Sequence, residues 1–126
     1  MKTKDSSVET KFHPLLTSLL FSFDAMYRKW GGEITITSGS EHTTRHGKTS
    51  LHYATPACAV DTRIWDVIVS KGSLAGTIIH AQEQYEALLV MRDLFCKREG
   101  IPSSWIDVIL EKDHIHTEYQ PKREGS

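Results

Sequence analysis

The stretch Trp105-Ile106-Asp107-Val108-Ile109-Leu110-Glu111-Lys112-Asp113-His114-Ile115-His116-Thr117-Glu118-Tyr119 decides how this chain is built. Residues 105–110 are rich in β-branched and aromatic side chains and read as one strand, and residues 114–119 read as another. Glu111-Lys112-Asp113 is either a tight turn between two strands or a kink within one. Side chains two apart on a strand share a face, so His114 and His116 point the same way if the segment is extended. With His52 and Asp61 upstream, these imidazoles can converge on one divalent metal. A catalytic zinc takes three protein ligands from His, Asp or Glu and keeps one position for water. A zinc hydrolase is therefore the leading expectation. The competing reading is a His-X-His on a solvated strand, since seven His are spread over the chain. Asp113 and Glu111 beside the pair, and the His52/Asp61 cluster upstream, favour the metal.

Working outward, residues 1–11 are polar and expected to be frayed. Phe12, Leu15, Leu16, Leu19, Leu20, Phe23, Met26, Tyr27 and Trp30 recur every three or four residues, which predicts an amphipathic helix. Pro14 is tolerated in its first turn, and Gly31-Gly32 ends it. Residues 33–38 alternate and predict a strand, which Ser38-Gly39-Ser40 breaks. Residues 40–57 lack any period and predict a long loop, a common carrier of function. Residues 58–65 predict a second strand, with Trp65 and Trp105 expected in the core. Residues 66–76 link it to a second helix over residues 77–98, capped by Gly100. The tail, residues 121–126, is polar and expected to be flexible. The element order predicts a single α+β domain over residues 1–126, a small antiparallel sheet backed by two helices.

At 126 residues the chain can bury a core without disulfides or a structural metal. Its net charge of −1 and pI of about 6.6 give no electrostatic footprint for nucleic acid or an anionic membrane. Cys58 and Cys96 form no C-x-x-C pair and read as buried thiols. The apolar run at residues 15–21 is preceded by mixed charges and followed by no small-residue cleavage site, so it is not a signal peptide. The chain is expected in the cytoplasm as synthesised, with release to an outside target left to another component.

Ser50-Leu51-His52, Ala59-Val60-Asp61 and Asp113-His114-Ile115-His116 occur in that order. In this the chain resembles the zinc peptidases that include D-alanyl-D-alanine carboxypeptidases, phage L-alanyl-D-glutamate endopeptidases and the hedgehog signalling domain. The resemblance covers residues 34–118. It implies a hedgehog-type fold, with His52, Asp61 and His116 as zinc ligands and Asp113 as general base, Glu111 being the rival. It implies that His114 steadies the water or the oxyanion. The implied substrate is a peptidoglycan stem peptide, in a phage or bacterial lysis enzyme. Its terminal carboxylate asks for a cation, and Arg45 is the candidate ahead of Lys48 and Arg63. The chain departs from the family pattern in two places. The gap from His52 to Asp61 is two residues longer and lacks its usual Gly, and Ser38-Gly39-Ser40-Glu41-His42 stands where an Arg is common. An alternative is a non-catalytic metal-binding or interaction module of the same fold. A non-haem iron site fits less well, because His52 and Asp61 are too far apart for a close His-X-Asp pair. His13, His42, His46 and His80 have no partner at a telling spacing and read as surface or packing residues.

Overall fold

A computed structural model describes residues 1–40 and 57–121. In chain order the elements are β1 (Lys2–Thr3), α1 (Pro14–Lys29), β2 (Thr35–Ser38), β3 (Ala59–Arg63), β4 (Val67–Ile68), β5 (Ile78–Ile79), α2 (Ala81–Glu99), β6 (Ile106–Leu110) and β7 (His114–Tyr119). The class is α+β, as expected. One sheet has five strands in the order β1-β2-β3-β7-β6, and β4 and β5 form a separate two-stranded ribbon.

The main sheet is mixed rather than purely antiparallel, because β1 pairs parallel to β2. Its origin is the free edge of β2. The Ile34 and Ile36 carbonyls accept the Lys2 and Lys4 amides at 3.0 and 2.9 Å. The Met1 ammonium meets Asp24 at 3.0 Å and Glu33 at 2.8 Å. Residues 1–11, expected to be frayed, are thus partly held by the sheet. Ser40 donates its amide to the Glu9 carbonyl at 2.8 Å. A Cβ on Gly39 would collide with that carbonyl, so the close approach requires glycine.

α1 starts two residues later than its periodicity suggests. His13 caps it, with Nδ1 accepting from the Leu15 amide at 3.1 Å. Gly31, at φ +91°, leads the chain out. α2 starts at Ala81 rather than near residue 77, because the β-branched pair Ile78-Ile79 joins Val67-Ile68 in the ribbon. His80 and Glu83 form the capping box, and Gly100, at φ +71°, closes the C-terminus. Between β6 and β7 the turn is tight, with the Glu111 amide bonded to the His114 carbonyl at 2.9 Å.

Leu16, Leu19, Leu20, Phe23 and Tyr27 of α1 pack with Leu88, Phe95 and Cys96 of α2. Ile36, Val60, Ile106, Val108 and Ile115 supply the sheet's side of this core. Each fully buried side chain of this size contributes roughly 1.5–3 kcal/mol. Strand alternation therefore commits one sheet face to the helices and leaves Asp61, His114, His116 and Glu118 on the other. Trp65 departs from its expected core position and is 70% exposed, since β3 ends at Arg63 and the chain turns there into the ribbon. Cys58 is half-buried and Cys96 buried, and burial pushes both thiols' pKa up. Among the described residues no helix is long and apolar enough to cross a membrane.

Candidate metal centre

β3 and β7 are neighbours, and their antiparallel register sets Asp61 opposite His116 and Arg63 opposite His114. Directly opposed side chains share a face. The alternation of β7 adds His114, His116 and Glu118 in a row. The result is a line of imidazoles and carboxylates on a rigid strand pair.

Asp61 Oδ1 lies 2.6 Å from His116 Nδ1 and 3.5 Å from His114 Nε2. One donor atom from each of Asp61, His114 and His116 lies within 4.8 Å of the others. The far nitrogen of each ring also has a carboxylate. His114 Nδ1 stands 2.7 Å from Asp113 Oδ1, and His116 Nε2 stands 2.6 Å from Glu118 Oε1. Glu118 Oε2 accepts from Gln120 Nε2 at 2.6 Å. The two rings are 6.4 Å apart and nearly perpendicular.

Asp61 is buried, with its side chain 8% exposed, whereas the His114 side chain is 27% exposed. The group therefore opens toward solvent on the His114 side. Burial works against a charged imidazole at His116. The hydrogen bonds to Asp61 and Glu118, and the charges of both carboxylates, outweigh it and push the pKa up to about 9. One carboxylate and two imidazoles are ligand types that zinc and related divalent metals accept, so these residues fit a metal.

Asp61 and His116, expected as ligands, are brought together. His114, expected to assist beside the metal, stands in the donor group itself. His52, Arg45 and Lys48 lie outside the described residues, as do His42 and His46. Asp113 is 83% exposed and is no donor of the group, but it bonds directly to one of its rings. Glu111 is exposed on the hairpin turn. The Arg63 guanidinium lies 3.7 Å over the Trp65 ring. His13 caps α1, and His80 caps α2 and pairs with Asp66 at 3.0 Å. Glu118 was missed in the sequence, although carrying the two-residue period of His114 and His116 one step further reaches it. No family model, curated protein or solved structure matches this chain, so the resemblance to the zinc peptidases rests on its motifs.

Proposed function

We propose that this protein is a zinc-dependent peptidase that hydrolyses peptidoglycan stem peptides. The observation that carries the reading is the Asp61–His114–His116 group, whose donor atoms lie within 4.8 Å of one another at the open face of the sheet. Support for a peptide substrate comes from the order of the Ser50-Leu51-His52, Ala59-Val60-Asp61 and Asp113-His114-Ile115-His116 motifs.

When bound, zinc supplies a water of lowered pKa and a Lewis acid for the scissile carbonyl. The chain supplies the rest. Asp61, His114 and His116 would hold the ion on two hydrogen-bonded strands, whose pairing limits their movement. Asp113 sits at the solvent edge of the group, and its carboxylate would take a proton and pass it to the leaving amine. In this structure it bonds His114 Nδ1, the ring nitrogen turned away from Asp61, so it would act after swinging off that ring. Arg45 is the cation proposed for the substrate's carboxylate, ahead of Lys48 and of Arg63, whose guanidinium is stacked on Trp65.

The test is hydrolysis by the zinc-loaded protein of synthetic stem peptides containing L-Ala-D-Glu and D-Ala-D-Ala bonds. New amine termini are read by mass spectrometry. Cleavage at one of these bonds, lost in His116→Ala, is expected. A zinc-loaded protein that cleaves neither bond rejects the peptidase reading and leaves a metal-binding interaction module.

A further inference from the structure

Neutral imidazole carries one N–H, and a ring whose proton shifts between its nitrogens presents the wrong face to a metal part of the time. His116 sits between two carboxylates, so its metal-free ring donates an N–H to each, and metal binding would remove one of those two protons. Nδ1 faces Asp61, a member of the donor group, and Nε2 faces Glu118, which is not. Glu118 is itself tied down. Its second oxygen accepts from Gln120 Nε2, and the Gln120 amide donates to the Trp105 carbonyl at 2.6 Å. The register sets Ala59 opposite Glu118 on β3, a small side chain beside the carboxylate. On the other side it sets Asp107 opposite Glu118 on β6. Like charges opposed across strands are destabilising.

We propose that Glu118, steadied by Gln120, is a positioning residue: it accepts the Nε2–H of His116 and leaves Nδ1, which donates to Asp61 in the metal-free ring, as the nitrogen that would lose its proton and ligate the metal. Metal-binding histidines commonly give their other N–H to a carboxylate, which sets the tautomer and strengthens the ligand. Asp113 stands in the same relation to His114 through Nδ1, so the two rings meet the donor group through opposite nitrogens. That is the geometric consequence of neighbouring imidazoles approaching one point from different ends of a strand.

The inference rests on the metal-dependent reading above, and its test separates the two. Zinc affinity is measured by competition with a chromophoric chelator in wild type, Glu118→Ala, Glu118→Gln and the exposed control Glu86→Ala. The His116 tautomer is read in the zinc-loaded proteins from long-range proton–nitrogen NMR correlations. Expected is a single Nε2–H form in wild type. Glu118→Ala should lose roughly 10- to 100-fold in zinc affinity and show a mixed or inverted tautomer. Glu118→Gln, whose amide oxygen still accepts the N–H, should recover most of the loss, and Glu86→Ala should match wild type. Unchanged affinity and tautomer in Glu118→Ala overturn the inference alone, and so does a Gln variant as impaired as Ala, which would point to charge rather than position. A wild type that takes up no zinc overturns the metal reading and this inference with it. Zinc uptake with the expected tautomer but no peptide cleavage rejects only the peptidase assignment.

Discussion

Asp24 is a buried carboxylate that joins α1 to the edge of the sheet, and replacing it with asparagine should be costly. Its side chain is 7% exposed. Oδ1 accepts from the Ile34 amide at 2.9 Å and faces the Met1 ammonium at 3.0 Å, and Oδ2 accepts from Arg28 Nε at 2.7 Å. In Asp24→Asn the side-chain oxygen would keep the Ile34 contact, while the new amide N–H₂ would be turned toward cations. Loss of a part-buried charge-assisted bond costs about 1.5–3 kcal/mol. Arg28 is 58% exposed, so its share is no more than about 1 kcal/mol. Together these give a destabilisation of about 2–4 kcal/mol, a large part of a typical domain's stability. With a urea slope of about 2 kcal/mol/M, the midpoint should fall by roughly 1–2 M at neutral pH. The difference should also depend on pH. Burial pushes the Asp24 carboxyl up, but the Arg28 and Ile34 hydrogen bonds and the Met1 ammonium outweigh it and leave the pKa below the ordinary value. A carboxylate with a depressed folded-state pKa contributes fully above the unfolded value of about 3.9 and loses that contribution as pH falls through the folded value. Wild type and Asp24→Asn should therefore converge in acid. Equal urea midpoints at neutral pH, or a gap undiminished well below pH ~3, would refute the reasoning.

Two further substitutions probe the site and the core. Asp113→Asn should retain zinc and fold while losing about a hundredfold to ten-thousandfold in peptide hydrolysis, measured as turnover by the loaded protein; full activity there with loss in Glu111→Gln would move the base to Glu111. Thr117 is buried on the helix-facing side, and its Oγ1 has no hydrogen-bond partner among the described residues. Thr117→Val removes that hydroxyl at nearly constant volume and should raise stability by about 1 kcal/mol in chemical denaturation, whereas a lower midpoint would mean the hydroxyl is satisfied.

Strong periodic signals were the ones that carried over from sequence to structure. Nine apolar residues at helical spacing marked α1, and the alternation at residues 114–119 matched β7 to the residue. Weaker local signals were overridden by pairing. Ile78 and Ile79 fit the helical period of α2, yet they form a strand because Val67-Ile68 offers them a partner. Lys2–Thr3 carries no strand pattern and is ordered by the free edge of β2. Trp65 looked like core because it is large and apolar, but the strand ends two residues before it. At the site, Asp61 and His116 were legible from residue type and motif order. Their direct opposition follows from a strand register that no single stretch of sequence contains. Glu118 lacked a motif, and its role emerges only from the distances on either side of the His116 ring.

The measurement that bears most directly on the metal centre is the zinc content of the purified protein by plasma mass spectrometry, alongside His116→Ala and Asp61→Ala. One zinc per wild-type chain, lost from both variants while their fold is retained by circular dichroism, is the predicted result. A wild type without stoichiometric metal after zinc incubation and desalting, or variants that keep it at the wild-type level, would contradict the assignment of Asp61, His114 and His116 as its holders.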